Sequence, residues 1–557
     1  MAGSVQFQLF APRNTEVALI GSFSNGQVIP MQKENDGYFR TQVDLEDGVY
    51  QYQFRVKSKS WHLEPDQWVE VNDPYATEID QDSQQGIVRI KEGQRILDTY
   101  VWQHDDQPLP PDTDVIIYEM HIADFCGRDP DATLGNRFYQ AIAKLDYLAD
   151  LGVNAVELMP VTEYAGNYRW GYMVRHFFAP ESSYGPPEDL KRFIDECHAR
   201  QIRVFMDGIY NHSDEESPLL SIDRDYWYYH GAHYPDDPNN YWGPEFNYDY
   251  YDETLDIKPA WKFIGDAVRH WVREYHIDGI RFDAVRQLAN ADFLHWIVGE
   301  ARQTAGNKPF YAIAEYIPDT ASITCCNSGP MDSCWHESFR YFLIPHLAGE
   351  TFELDQLKEA LDAKRQGYGG SIHVINYLAS HDRERLLREL GDRSIFGEPA
   401  FQRAKLGAVI QMTAMGIPML WMGDEFGEYT AKTETTLESN KLQWNLLKQA
   451  PNQDLHNFYK RLIALRHHCS ALRSDNIEFF HDNPGDRVFA YVRWNDDGSR
   501  AVVVANFSDQ DFTQYTVPNF PDHSRWYDWL SDRQVEAQDN CLVTELGAYE
   551  AKVFVSV

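Results

Sequence analysis

Four carboxylates in this chain stand where apolar runs end, and their neighbours suit them to different chemistry. In GIRFDAVRQL, Arg281 lies two residues before Asp283, so its guanidinium can keep the carboxylate ionised and orient it by charge-assisted hydrogen bonds. In AIAEY, Glu315 follows Ala312, Ile313 and Ala314, and partial desolvation there raises a carboxyl's pKa until it holds a proton near neutrality. One ionised and one protonated carboxyl together supply the nucleophile and the general acid that retaining cleavage of a glycosidic bond requires. Upstream, DGIYNH carries Asp207, Asn211 and His212; downstream, LASHD carries His381 and Asp382. Taken singly, Arg-x-Asp is also an ordinary ion pair and a strand-end glutamate or histidine a satisfied polar group. Four motifs in this order select the chemical reading.

Residues so far apart in sequence need a scaffold that brings strand ends together. Between residues 106 and 472 apolar runs alternate with helical patterns, and eight strands are read: VIIYEMHI, AVELMPV, RVFMDGIY, GIRFDAV, FYAIAEY, a weak sixth near Met331 to Trp335, IHVINYLASHD and MLWMGDE. Eight such repeats predict an α/β fold, a (β/α)8 TIM barrel, whose catalytic groups stand at the C-terminal ends of the strands, where Asp207, Asp283, Glu315 and Asp382 fall. Residues 1–105 show short β-rich runs (VQFQLFAP, VALIGSF, YFRTQVDL, YQYQFRV) between polar turns and read as an N-terminal β-sandwich ending near the Pro-rich QPLPPD. Residues 473–557 return to alternating strands (RVFAYVRW, AVVVANFS, YEAKVFVSV) and read as a C-terminal all-β domain.

Composition narrows the partners. The 86 acidic and 50 basic residues give a formal charge of −36, a field that repels nucleic acid and anionic membranes but not a neutral polymer. With 15 Trp and 33 Tyr, the chain has rings to offer the apolar C–H faces of sugars, although most rings serve packing. No apolar run is long enough to span a bilayer, and the Met-Ala-Gly-Ser-Val start lacks the pattern of a signal peptide, so a cytoplasmic protein is expected. Seven cysteines without metal-ligand spacing, two of them the adjacent Cys325 and Cys326, suggest free thiols in a reducing compartment.

In their order and spacing the four motifs resemble glycoside hydrolase family 13, the α-amylase family, over nearly the whole chain. The patterns FxxxAP, VxLxGxF and GxYxYxFRV resemble the carbohydrate-binding module family 48 sandwich that precedes the barrel in branching, debranching and trehalose-releasing members. The resemblance implies Asp283 as nucleophile, Glu315 as acid and Asp382 as the third carboxylate, binding the sugar at the cleavage point. It implies that His212 and His381 donate hydrogen bonds to that sugar, and that Asp207 positions Arg281. Asn211 holds a loop or, in calcium-dependent members, a Ca²⁺; no compact acidic loop lies near it, so neither a metal nor another cofactor is expected. WGYMVRHFFAP resembles the extension carrying a stacking tyrosine, here Tyr172, but Met173, Val174 and Arg175 replace residues that are usually small or polar. In GIPMLWMGDEFGE, Asp424 and Glu425 face either the cleft mouth or solvent.

Two aromatic features set expectations about specificity. Trp61 and Trp68 in the sandwich form either a sugar platform or a docking contact with the barrel. The segment DYWYYHGAHYPDDPNNYWGPEFNYDYYDE, which holds Trp242, lines a glucan groove or packs as a Tyr-rich loop. WGPEFNYD and GPMDSCWHESF are similar to branching and trehalose-releasing members, whereas DGIYNH keeps an Asn where bacterial branching enzymes often differ. The expected activity is retaining cleavage of α-1,4-glucans, as polysaccharide or oligosaccharide, through a glucosyl-enzyme. Branching transglycosylation, trehalose release and a silent glucan-binding protein are the alternatives, and the oligomeric state is left open.

Overall fold

A computed structural model describes residues 3–127, 137–166, 169–236, 240–433, 440–521 and 525–556. Residues 1–2 of the Met-Ala-Gly-Ser-Val start, and residues 237–239 of the aromatic segment, lie outside the described residues. Eight parallel strands close a barrel: β1 (Ile117–Met120), β2 (Ala155–Leu158), β3 (Arg203–Gly208), β4 (Gly279–Phe282), β5 (Tyr311–Ala314), β6 (Ser333–Trp335), β7 (Val374–Tyr377) and β8 (Ile417–Trp421). Strand β8 closes the ring on β1 through Ile117 opposite Met419. The strands are buried on both faces, which is why each reads as an apolar run rather than an alternation. Phe205, Tyr311, Ile313, Trp335, Tyr377 and Met419 help to fill the interior. The eight strands fall where the sequence places them, and β6 is only three residues long.

Helices cover the barrel with one apolar face each. In α1 (Pro187–Ala199) and α2 (Pro259–Glu274) a proline opens the helix, where its missing N–H costs nothing. Helix α2 buries Ala260, Phe263, Ile264, Ala267, Val268 and Trp271, the spacing of one side of a 3.6-residue helix. Further along, α3 (Ala291–Ala305), α4 (Glu337–Ala348), α5 (Glu398–Thr413) and α6 (Ala450–His468) complete the principal outer layer. None of the helices among the described residues is long and apolar enough to cross a membrane.

Two small sheets make the N-terminal sandwich. Val5, Phe7 and Leu9 alternate inward from one sheet and meet Tyr52, Phe54 and Val56 of the other, with the Phe7 and Tyr52 rings 5.2 Å apart. The sandwich grips the segment that follows β3. Arg13 donates to both carboxylate oxygens of Asp223 at 2.6 and 2.5 Å, Asn14 Nδ2 donates to the Ile222 carbonyl at 2.9 Å, and Ser58 Oγ to that of Ser221 at 2.7 Å. Trp61 takes part in this junction, with its ring 4.8 Å from that of His230 and under the Arg224 guanidinium, while Trp68 is capped within the sandwich by Arg55 and Lys57.

A six-stranded sheet begins the C-terminal domain. Phe489, Tyr491 and Val503 pack toward the barrel, and Val488, Ala490, Val502 and Val504 face a two-stranded sheet contributing Tyr515, Val517 and Leu542. The buried Arg493 guanidinium ties this sheet to α5 and the adjoining turn, donating to the carbonyls of Thr413 at 2.6 Å and Ser474 at 2.6 Å.

The sandwich contacts stabilise the same excursion that carries Trp242. Arg13→Ala is expected to cost about 1–2 kcal/mol, because it strips partners from the buried Asp223 while Arg13 itself is partly exposed. Denaturant unfolding measures the loss, and limited proteolysis should cut first within residues 213–258; unchanged stability and cleavage would show that the sandwich does not brace this segment.

Candidate active site

The carboxylates converge because parallel strands in register deliver them to one end of the barrel. Asp207 and Arg281 are direct partners on β3 and β4, so both side chains point inward at the same level. Arg281 Nη1 donates to both oxygens of Asp207 at 2.7 Å and to Asp283 Oδ1 at 3.1 Å, and its guanidinium lies 4.3 Å from the centre of the buried Trp335 ring. Asp283 stands one residue past the end of β4, and Glu315 one residue past the end of β5.

A single turn of backbone joins these two carboxyls. Ala284 adopts left-handed angles, φ 50° and ψ 40°, and thereby aims its amide at Glu315 Oε2, 2.6 Å away. The next amide, Val285 N, donates to the Glu315 carbonyl, and Glu315 N donates to Phe282 O, each at 3.0 Å. A left-handed conformation disfavours any residue with a Cβ, and alanine is the smallest that has one.

Asp283, Ala284, Glu315, Asp382, His212, His381, Trp170, Tyr172, Met173 and Trp242 line a cavity of about 230 Å³. All the residues expected at the cleavage point therefore meet, with Arg281 and Asp207 beneath them. Tyr172 donates from its hydroxyl to Asp207 at 2.5 Å and stacks its ring on His381, 4.9 Å between centres. Trp242 is 42% exposed, which leaves a ring face open at the cavity rim. On the far side of Glu315 a second cavity, of about 490 Å³, is lined by Tyr234, Tyr241, Glu245, Arg286, Gln287 and Tyr316 among others. Residues 240–242, 284–287 and 315–316 thread from one cavity into the other.

The electrostatics correct one expectation. Arg281 pulls the pKa of Asp283 down, but burial outweighs it, and Glu315, Asp207 and Asp382 add negative charge around the group; the net shift is well upward. Burial also raises Glu315, again against the pull of Arg281. The two carboxyls titrate as a coupled pair that resists holding two charges. Around Asp382 the balance is reversed: burial opposes ionisation, but His381 and Arg281 hold it well below the usual carboxylate range.

The two histidines carry different charges. His381 Nδ1 lies 2.6 Å from Glu119 Oε1 and Nε2 lies 3.3 Å from Asp382 Oδ1. Burial alone would lower its pKa, yet these two carboxylates push it up to about 10, so the ring is an imidazolium. His212, brought down to about 4 by burial, is neutral, and its Nε2 donates to the Tyr172 carbonyl at 3.2 Å. Both rings already have protein partners, so a sugar hydroxyl must share or exchange one of these bonds. Glu425 faces neither cleft nor solvent: it is buried and accepts hydrogen bonds from Tyr118 at 3.0 Å and Tyr147 at 2.6 Å.

Glu119 and Glu157 were not singled out in the sequence. Both sit inside strands, in YEM of β1 and VEL of β2, and an acidic residue within an otherwise apolar strand was the available signal. Burial drives the Glu157 pKa well up, and Glu119 beside it adds to the shift. No group of three or more His, Cys, Asp or Glu among the described residues is arranged to hold a metal ion.

Comparison with known proteins agrees with this layout. A family model described as alpha amylase, catalytic domain, matches residues 139–323 and 344–454. Carbohydrate-binding module 48 (isoamylase N-terminal domain) matches residues 1–76, and the alpha amylase C-terminal all-beta domain matches residues 480–553. The chain is 28% identical to a pullulanase of Bacillus subtilis (strain 168) over 536 residues, 84% of this chain and 71% of that one. It is 25% identical to a malto-oligosyltrehalose trehalohydrolase of Saccharolobus solfataricus over 530 residues, covering 83% and 85%. It is 26% identical to a 1,4-alpha-glucan branching enzyme of Synechococcus sp. (strain CC9311) over 587 residues, covering 92% and 72%. The crystal structure of pullulanase type I from Bacillus subtilis complexed with maltose superposes with a TM-score of 0.81 at 21% identity, over 100% of this chain and 85% of that one.

Two measurements test the geometry. Ala284→Val should strain the left-handed turn, displace the amide from Glu315 and lower turnover about tenfold or more, whereas Ala284→Gly should keep it near the wild-type value. Equal rates for both would show that the turn does not set Glu315. The folded pKa of His381 lies above its unfolded value near 6.5, so its contribution to stability is complete below about pH 6.5 and is lost as pH rises toward 10. Ring NMR should find His381 protonated at pH 8, and Glu119→Gln should lower its midpoint; a neutral ring at pH 8 would contradict the ion-pair assignment.

Proposed function

The chain belongs to the alpha-amylase family, and on that premise we propose that it is a retaining enzyme of α-1,4-glucans that works through a covalent glucosyl-enzyme at Asp283. The observation that carries this reading is the carboxyl pair, Asp283 and Glu315, tied together by one backbone turn and both shifted by burial toward the protonated form. A nucleophile and an acid need one proton between them, which this pair is built to keep.

In the first step the Asp283 carboxylate attacks the anomeric carbon as the glycosidic bond breaks, and Glu315 passes its proton to the departing oxygen. In the second step Glu315, now a carboxylate, takes a proton from the incoming hydroxyl while that oxygen displaces Asp283. Two displacements return the α configuration. Arg281 stabilises the carboxylate form of Asp283, and Asp382, kept charged by His381, favours the cationic ring of the transition state. Tyr172, His212 and Trp242 surround the sugar on either side of the cleavage point.

Water as the acceptor makes the enzyme a hydrolase, which is the first reading. The cavity beyond Glu315 favours a second: at about 490 Å³, with Tyr234, Tyr241 and Tyr316 along it, it has room for a sugar acceptor and would support branching transfer. Release of trehalose from capped maltooligosaccharides uses the same machinery. We assign residues 1–105, 106–472 and 473–557 to three domains, and a cytoplasmic location fits seven unpaired cysteines, with Cys325 and Cys326 exposed.

Incubation with amylose decides the acceptor: rising reducing ends without branches mean hydrolysis, and new α-1,6 branches at constant reducing ends mean transfer. Asp283→Asn should lower turnover at least about 10³-fold with the fold intact. Glu315→Gln should lose about 10²–10⁴-fold on amylose and far less on α-glucosyl fluoride, whose leaving group needs no proton. Equal loss on both substrates, or an inverted product anomer, would overturn the assignment.

A further inference from the structure

The two-stranded sheet of the C-terminal domain, residues 512–517 and 542–546, is shorter than the sheet it covers. It seals Val488, Ala490, Val502 and Val504, and the covered face then runs out from under it. At that open end lies a cavity of about 350 Å³, remote in the chain from the catalytic strands, lined by Glu478, Phe480, Val492, Trp494, Arg500 and Asn519 with Pro521. Strand register explains why these side chains meet: Trp494 is the cross-strand partner of Arg500, and Val492 of Glu478, so neighbouring pairs project from the same face.

The lining has a definite chemistry. Trp494 and Phe480 are partly exposed and give an apolar floor and wall, while Glu478 offers acceptors and Arg500 and Asn519 offer donors at the edge. Among the described residues neither Glu478 nor Arg500 has a side-chain hydrogen bond or ion pair, unlike most of the arginines that pack this protein. An anion would meet the Glu478 carboxylate and a cation the Arg500 guanidinium. A neutral ligand with an apolar face and a rim of hydroxyls, each both donor and acceptor, suits all of them.

We propose that this cavity is a second α-glucan site, which holds a stretch of polymer on the C-terminal domain while another stretch occupies the barrel cleft. It rests on the proposed substrate class. Holding one chain at two places raises the local concentration of cleavable bonds, so the site serves long glucans and is silent toward short ones.

Native gels containing amylopectin measure polymer binding, and turnover of maltotetraose measures the cleft alone. Trp494→Ala should weaken retardation about three- to tenfold in apparent Kd and leave maltotetraose turnover within twofold of wild type. Because Trp494 also packs against the core of the C-terminal domain, the double variant Glu478→Gln/Arg500→Gln, which leaves that core alone, should show the same loss. If wild type and both variants run alike, the inference is overturned, while maltotetraose cleavage leaves the proposed activity standing. If no α-glucan is cleaved but retardation still falls with both variants, the activity reading fails and the site stands.

Discussion

The buried guanidinium of Arg281 is the constraint around which the catalytic end of this barrel is arranged. It cannot lose its proton, so its charge must be compensated inside the protein. Asp207 does so from the neighbouring strand with two contacts to Nη1, the face of Trp335 supports the plane of the group, and Asp283 accepts a third bond from the same nitrogen. Strand register alone decides that these groups meet. Once they do, four carboxyl groups crowd around one fixed cation: burial shifts Asp283 and Glu315 toward their neutral forms, whereas Asp382 stays charged because His381 supplies a second cation.

The surrounding domains act on this centre through the loops they hold. The sandwich does not reach the carboxylates, but it fastens residues 220–223 and thereby the root of the excursion that ends in Trp242 at the cavity rim. At the other end of the chain, Arg493 reaches from the C-terminal sheet to the carbonyl at the end of the helix that precedes β8. The barrel supplies fixed strand ends, and its two neighbours restrain the segments between them.

Much of this was legible in the sequence because barrel strands are buried on both faces and leave continuous apolar runs. The exception is β6, three residues long, which was only weakly marked near Met331 to Trp335 because Asp332 and Ser333 interrupt the apolar run. The site carboxylates were legible for the same reason, since a charged residue directly after such a run stands at the open end of a strand. What the sequence concealed was depth. The proximity of Arg281 suggested a low pKa for Asp283, but two residues of spacing say nothing about how much water the fold removes, and burial won. Glu119 and Glu157 escaped attention because they lie within their strands, although Glu119 joins Asp382 in keeping His381 charged. Glu425 was read as open because it follows a strand; its partners, Tyr118 and Tyr147, are more than 270 residues away in the chain.

The left-handed turn at Ala284 has a mechanical consequence. Asp283 and Glu315 come from different strands, yet the peptide between Asp283 and Val285 is bonded to both the side chain and the backbone of Glu315. Their separation is therefore set like the gap of a caliper whose jaws share one rivet, rather than by two independent loops. Displacing either strand end pulls on the other through these bonds, so softening of the surrounding segments shifts where a sugar is held before it alters the distance across which the bond is broken.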